Sequence, residues 1–203
     1  MTQAAQTEQM IAEEDKLRAD LYDFLSALLA GPPSRGLLDQ TARLSGDDAP
    51  MGQAISTLAK LAGKTTEKGV EGEFNDLFIG MGRGELVPYA SYYMTGFLNE
   101  KPLAALRTDM AARAIQRAPN VYEPEDNIAS VLEMMAGLIE GRFGTPETLA
   151  QQRAFFNRHI GPWAGHFFSD LEAAKTSIFY APVGRIGRLF MEIEREAFRM
   201  AGQ

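Results

Sequence analysis

Two stretches of the chain concentrate the residue types that take part in binding or chemistry. One, at residues 80–93, combines three glycines with a proline and three tyrosines, and the other, at residues 118–127, combines prolines with acidic residues. Both interrupt an otherwise helical pattern of apolar residues, and loops held by a rigid scaffold commonly carry binding groups. We therefore expect the functional surface to be built from these two stretches.

Other kinds of chemistry find little support in the residue spacing. Gly80, Gly82 and Gly84 suggest a phosphate-binding loop, but no strand precedes them and no Gly-Lys-Ser/Thr follows. His159 and His166 lack the spacing and the neighbouring carboxylates of a metal site, so a structural role is the better interpretation. No acid–base pair or activated nucleophile is recognisable, which predicts that the chain is not an enzyme.

Composition restricts the environment and the partners of the chain. The 203 residues include no cysteine, which excludes disulfides and makes the reducing cytoplasm the default location. The N-terminal segment has no basic region, and Asp20 and Asp23 interrupt its apolar portion, so neither a secretory signal nor a membrane span is expected. A formal charge of -7, from 20 Lys and Arg against 27 Asp and Glu, argues against nucleic acid and favours neutral or basic partners.

Helices must position the two stretches, because apolar residues recur at helical spacing almost everywhere and strand-like alternation is hard to find. One stripe predicts a first helix near residues 10–30, which the Gly-Pro-Pro at 31–33 ends. A second pattern, preceded by Pro124, predicts a strongly amphipathic helix over residues 128–139. A third predicts the last helix over roughly residues 182–200. The fold class is therefore all-α.

Five sequence blocks lie in and around these two stretches: EFNDLFIG at 73–80, ELVPYASYY at 85–93, YEPEDNIASVLEMM at 122–135, FNRHIGPWAGHF at 156–167 and FY at 179–180. With these blocks the sequence resembles the TorD/DmsD/NarJ family of redox-enzyme maturation proteins. The acidic loop of that family is usually written Pro, any residue, Asp, His, and here Asn127 replaces the histidine. The contact made by this side chain is therefore expected to differ.

The resemblance implies a TorD-like helical bundle of about nine to eleven helices. Its N-terminal and C-terminal helical parts are expected to be joined by the Pro-Tyr-x-Ser connection, without catalysis. We expect a single domain over residues 1–203, and two lobes with a hinge near residues 84–93 are the alternative.

The resemblance also implies a function. It indicates a cytoplasmic chaperone that binds the N-terminal segment, commonly a twin-arginine leader, of a molybdopterin oxidoreductase catalytic subunit and assists cofactor insertion before export. A NarJ-like adaptor that binds an enzyme subunit without a leader peptide is the alternative. No permanently bound cofactor is expected. Transient contact with molybdopterin or a guanine nucleotide is left open, as is the choice between a monomer and a domain-swapped dimer.

A twin-arginine leader presents guanidinium groups beside an apolar segment, so its receptor needs carboxylates beside a hydrophobic groove. Methionine suits such a groove because it accepts varied apolar side chains. The expected binding residues are Glu123, Glu125, Asp126 and Asn127 in the acidic loop, Tyr89, Ser91, Tyr92 and Tyr93 in the other stretch, and Leu132 and Met135 on the following helix.

The same spacing also fits a purely structural interpretation. Glu125 and Asp126 would then favour the N-terminal end of a helix dipole, an effect of about 0.3–1 kcal/mol each. The tyrosines and Met135 would pack inward. The motif resemblance favours binding for Glu123 and Asp126.

Overall fold

The computed structural model describes residues 11–80, 82–119 and 121–201, which form ten α-helices. An isolated bridge is the only β-type pairing among these residues. The all-α prediction is confirmed for this part of the chain. No helix in it is both long enough and apolar enough to span a membrane. The helices are α1 (Glu13–Leu29), α2 (Arg35–Thr41), α3 (Pro50–Ala62), α4 (Glu67–Phe74), α5 (Ala90–Thr95), α6 (Lys101–Ala112), α7 (Ile128–Glu140), α8 (Leu149–Phe155), α9 (Ala164–Ala173) and α10 (Tyr180–Met200), and π-helical turns at Asn75–Ile79 and Phe156–Ile160 extend α4 and α8.

Helix α7 lies in the core of the molecule. Ten of its 13 residues are buried, which is typical of a core helix rather than a surface helix. Helix α1 packs along α7, while α10 packs against α9 and α3. The buried apolar side chains form one connected cluster that draws on both halves of the chain, from Ala19 to Phe198. A division into two lobes with a hinge near residues 84–93 stays a prediction.

Local sequence signals set the ends of the helices beside the acidic loop. Asn127 precedes α7, and its side chain accepts a hydrogen bond from the Ala129 N–H at 2.9 Å, which satisfies a free donor in the first turn. The helix ends at Gly141, whose left-handed φ of 78° is accessible to glycine at little cost. A reciprocal capping box between Thr148 and Gln151 then starts α8.

A buried ion pair joins the first helix to the last. Arg18 donates from Nε and Nη2 to the two carboxylate oxygens of Glu194, both at 2.8 Å. The Tyr22 hydroxyl donates to the same carboxylate at 2.9 Å, and Arg18 Nη1 donates to the Gln152 amide oxygen at 3.1 Å. Burial and the neighbouring Glu194 charge together raise the pKa of Tyr22. The Glu194 carboxylate, 1% exposed, is thus fully engaged by α1.

His159 links α6 to the π-helical turn after α8. Its Nε2 lies 2.6 Å from Asp109 Oδ2, and its carbonyl oxygen accepts a hydrogen bond from the Trp163 indole at 2.7 Å. Burial lowers the pKa of His159, and Asp109 offsets part of that effect. These contacts are those of a structural histidine. Among the described residues, no group of three or more His, Asp or Glu side chains is placed to hold a metal ion.

We expect Glu194→Gln to lower the free energy of unfolding by about 3 kcal/mol, because it removes the buried charged acceptor of Arg18 and leaves the guanidinium only the partly exposed carboxylate of Asp15. This is the lower end for a buried ion pair, since the Arg18 side chain keeps 19% of its surface exposed. Urea unfolding followed by circular dichroism measures the change. The matched control is Glu196→Gln, because Glu196 pairs with Arg199 on the exposed face of α10 and should matter little. Equal effects of the two changes would contradict a stabilising role for the buried pair.

Candidate functional site

The structure brings together the two stretches that the sequence singles out. Tyr89 and Asn127 form an isolated antiparallel bridge. On either side of it, the Ile128 N–H donates to the Pro88 carbonyl at 2.8 Å, and the Ala90 N–H donates to the Asp126 carbonyl at 2.9 Å. Helices α5 and α7 therefore begin side by side, with their preceding loops in register.

Asp126 fixes the start of α5 rather than facing solvent. Its Oδ2 accepts hydrogen bonds from the Ser91 N–H at 2.8 Å and from the Ser91 hydroxyl at 2.6 Å. Both residues are buried, with 1% and 0% of their surface exposed. A carboxylate at the N-terminal end of a helix is stabilised by the free N–H groups and by the helix dipole. Asp126 is thus a cap supplied to α5 by the loop before α7.

Glu125 is engaged by arginines of the segment that precedes its own loop. Arg107 Nε and Nη2 donate to Glu125 Oε2 at 2.9 and 2.8 Å, and Arg117 Nε lies 4.0 Å from Oε1. Burial raises the pKa of Glu125, but the hydrogen bonds and the charge of Arg107 outweigh it, so the pKa lies below its ordinary value. This pair anchors the acidic loop to α6.

The tyrosines of α5 make contacts within the molecule. Tyr93 donates from its hydroxyl to Asp170 at 2.9 Å, and its ring packs against Trp163 and Phe167. Burial raises the pKa of Tyr93, and the hydrogen bond to Asp170 adds to that shift. Tyr92 accepts a hydrogen bond from the Arg83 guanidinium, which also lies over the Tyr92 ring with 5.0 Å between Cζ and the centroid. Both rings keep part of their surface exposed.

Besides Ser91, Glu125 and Asp126, three more of the expected binding residues have structural positions. Leu132 and Met135 are fully buried on α7, so neither lines a surface groove in this conformation. The reason is that α7 is covered on nearly all sides, by α1 among others. Asn127, in place of the family's histidine, is occupied as the N-terminal cap of α7.

A small cleft remains where the acidic loop meets α7, with a volume of about 170 Å³. Glu123 is exposed here, as expected, and Glu133 joins it from α7. Sequence reasoning missed Glu133, although it is the one charged residue within the apolar run at 128–139. The remaining lining includes Met110, Ile115, Val121, Met134, Phe143 and Arg117.

Two further acids of the motif blocks hold the segment that leads into α10. Glu73, on α4, accepts hydrogen bonds from the backbone N–H groups of residues 178–180 at 2.7 to 3.0 Å. Glu85 accepts hydrogen bonds from the Lys175 N–H at 2.7 Å and from the Thr176 N–H and hydroxyl at 3.2 and 2.7 Å. These N–H and O–H bonds lower the pKa of Glu85. The first motif block is therefore joined to the last.

Fold and site together define the class of the protein. An all-helical scaffold joins the two loops by backbone hydrogen bonds, and between the acidic loop and α7 it leaves a cleft lined by carboxylates and apolar side chains. Such a cleft can form charge-assisted hydrogen bonds and accept apolar groups, which is the chemistry of a binding site for a protein or peptide.

Comparisons of sequence identify the family. The model for the nitrate reductase delta subunit family matches residues 45–169. The chain belongs to this family of TorD- and NarJ-type proteins. The chaperone protein TorD of Vibrio cholerae serotype O1 is 28% identical over 130 residues, a match that covers 61% of this chain and 59% of the relative. The TorD of Vibrio atlanticus is 26% identical over 200 residues, which covers 88% and 93% of the two chains.

A comparison of structures agrees on the fold. A crystal structure described as a redox enzyme maturation protein from Archaeoglobus fulgidus superposes with a TM-score of 0.57 and 22% sequence identity, covering 87% of this chain and 94% of the other. The TorD-like fold is thus confirmed. The prediction that the chain is not an enzyme is confirmed by the relatives, which are named as chaperones.

Ser91→Ala should lower the free energy of unfolding by about 2 kcal/mol, because it removes one of two hydrogen bonds to a buried carboxylate. Ser169→Ala is the matched control. The Ser169 hydroxyl donates to a carbonyl of its own helix at 2.9 Å and is half-buried, so its loss should cost less than about 1 kcal/mol. Urea denaturation compares both with the unchanged chain. A Ser91→Ala effect no larger than that of the control would show that Asp126 does not stabilise α5.

Proposed function

We propose that this chain is a cytoplasmic chaperone that binds the N-terminal segment of a molybdopterin oxidoreductase catalytic subunit. In this proposal the segment is a twin-arginine leader, and capture holds it back from export while the cofactor is inserted. Membership of a family of maturation chaperones supports the proposal. It is further supported by the chemistry of the cleft between the acidic loop and α7.

The observation that carries the proposal is the pair of carboxylates at that cleft. Glu123 and Glu133 are both exposed, and neither forms an ion pair or a side-chain hydrogen bond with a described residue. Arg117 is the single cation among the lining residues, and it lies 4.0 Å from Glu125. Two carboxylates are thus available to guanidinium groups of a client, which form bidentate hydrogen bonds with such oxygens.

Apolar side chains beside these acids favour a peptide with an apolar portion. Val121 and Phe143 expose 43% and 36% of their surface at the mouth of the cleft. Met134 contributes to the lining from α7, and its flexible thioether accommodates varied side chains. An arginine that enters the cleft would therefore lay its apolar stem on these groups while its guanidinium contacts the acids.

The hydrogen bonds that hold Glu125 and Asp126 support client binding indirectly, because they order the loop that carries Glu123. Glu125 is held by Arg107, and Asp126 by Ser91, so the loop that carries Glu123 needs little further ordering when a client binds. Such pre-organisation supports reversible capture of moderate affinity. A dissociation constant of about 1 μM corresponds to about 8 kcal/mol.

The proposal includes no permanently bound cofactor. Molybdopterin or a guanine nucleotide would contact the chain only transiently, in the complex with the client. A monomer and a domain-swapped dimer are both compatible with client capture, because the residues that line the cleft all lie between positions 110 and 143.

The client is identified by affinity purification of the tagged protein from its native host, grown under conditions that induce molybdoenzymes, with mass spectrometry of the bound proteins. We expect one molybdopterin-containing subunit to be enriched. Deletion of its N-terminal segment should abolish the enrichment. Absence of any such subunit, from cells in which candidate clients are expressed, would contradict the proposal.

Glu123→Gln combined with Glu133→Gln should weaken binding of the client's N-terminal peptide at least tenfold, because each change replaces a charge-assisted hydrogen bond by a neutral one. Calorimetric titration of the peptide into each protein gives the affinity. The control is Asp20→Asn combined with Glu71→Gln, which removes the same charge from exposed positions outside the cleft. If the two double variants bind alike, net charge rather than the cleft accounts for the affinity.

A NarJ-like adaptor, which binds an enzyme subunit without a leader peptide, is the second candidate. It is favoured by one observation: Glu125 and Asp126, two of the three acids expected to read arginines, are engaged within the chain. Salt distinguishes the two functions, because exposed arginine–carboxylate contacts are screened by ions and an apolar interface is not. A fall in client affinity between about 50 and 500 mM salt supports leader capture, and an affinity that does not change supports the adaptor.

A further inference from the structure

A second groove lies between the start of α3 and the last turns of α10, away from the acidic loop. Its volume is about 560 Å³. Seven of its nine lining residues are apolar, and the other two are glutamates of α10. The lining consists of Ala49, Pro50 and Met51 on one side and Leu189, Glu192, Ile193, Glu196, Ala197 and Met200 on the other.

The floor of this groove exposes large apolar side chains. Ile193 and Met200, separated by two helical turns, have 54% and 59% of their surface exposed. With Leu189 and Ala197 they form a stripe on one face of α10, because residues three, four and seven apart share a face. A continuous apolar stripe between two packed helices is the usual receptor for one face of an amphipathic helix.

The charges at the rim favour a basic partner. Glu192 and Glu196 are the only charged lining residues, and Asp47 and Asp48 directly precede the α3 side. Each glutamate has one partner among the described residues, an arginine of its own helix: Arg188 for Glu192 and Arg199 for Glu196. Such exposed intrahelical pairs are weak in water, so a cation of the partner can replace or share them.

We propose that this α3–α10 groove binds the apolar portion of the client's N-terminal segment as a short amphipathic helix, with a basic residue of the client beside Glu192 or Glu196. The inference rests on the proposed function and adds a second point of contact to it. The cleft beside Glu123, at about 170 Å³, has room for a side-chain head group but not for an apolar helix. The α3–α10 groove lies within the range of about 300–1,000 Å³ that ligand pockets occupy.

Binding at two points would divide the recognition of a leader between its two chemical parts. The acids of the cleft would bind the arginines of the leader. The α3–α10 groove would bind its apolar side chains, with little dependence on their exact sequence. Met51 and Met200 suit that second task, because the unbranched thioether side chain adapts to varied partners.

The test compares Ile193→Gln/Met200→Gln with the unchanged chain, using the client's N-terminal peptide and a version of it whose apolar residues are replaced by serine. Both positions are exposed and glutamine favours helices, so folding should be preserved. We expect the double variant to bind the natural peptide about tenfold more weakly. The serine-substituted peptide should bind weakly, and equally, to both proteins.

Leu17→Gln/Ile178→Gln is the matched control, because these side chains are 65% and 68% exposed and lie outside both the cleft and the α3–α10 groove. Unchanged binding by Ile193→Gln/Met200→Gln, together with weakened binding by Glu123→Gln/Glu133→Gln, would overturn the inference and leave the proposed function standing. No binding of the natural peptide to the unchanged chain would overturn both.

Two other occupants would also overturn the inference. If sedimentation velocity shows a dimer that Ile193→Gln/Met200→Gln converts to a monomer, the groove is an interface between copies of this chain. If deletion of residues 1–10 strengthens peptide binding by the unchanged chain and Ile193→Gln/Met200→Gln reproduces that gain, the chain's own N-terminal residues occupy the groove.

Discussion

The geometry of the site depends on one buried carboxylate. Asp126 accepts two hydrogen bonds from Ser91 at the start of α5, and its own backbone pairs with Ala90. A charge removed from water in this way is tolerated only when its hydrogen-bonding partners are fixed. The position of α5 relative to α7 is therefore fixed by the hydrogen bonds of Asp126 as well as by side-chain packing. The exposed acid at the cleft, Glu123, belongs to a loop in which the side chains of Glu125, Asp126 and Asn127 are all held by hydrogen bonds.

A second helix is also capped by a carboxylate from another part of the chain. Asp126 caps α5 and Glu73 caps α10, and each acid comes from a different part of the sequence than the helix it caps. Short helices such as α5, with six residues, gain little stability from their own hydrogen bonds. A carboxylate supplied by a neighbouring element satisfies their free N–H groups and fixes their direction at once. Asp126 and Glu73, two acids of the motif blocks, thus hold the scaffold together.

Periodicity was sufficient to predict the long helices, because α1, α7 and α10 carry their signals within a few turns of sequence. It could not show which side of α7 faces solvent, since this helix is apolar on almost every side. Leu132 and Met135 were therefore expected at the surface, where the structure has Glu133 instead. The roles of Glu125 and Asp126 depend on Arg107 and Ser91, which lie 18 and 35 residues away in the chain. No local pattern encodes such contacts, so sequence could not predict which acids of the loop are engaged within the chain and which are exposed.

The pair formed by Arg18 and Glu194 also has a consequence for biosynthesis. These residues are 176 positions apart, which corresponds to roughly 10–35 s of translation at about 5–20 residues per second. During that interval Glu194 has not yet been synthesised, so Arg18 and Tyr22 on α1 lack their hydrogen-bond acceptor on α10. Contacts of such long range slow folding, because the loop between them must close before they contribute. A nascent copy can therefore already contain every residue of the acidic cleft while Arg18 and Tyr22 of its first helix still lack the carboxylate of Glu194.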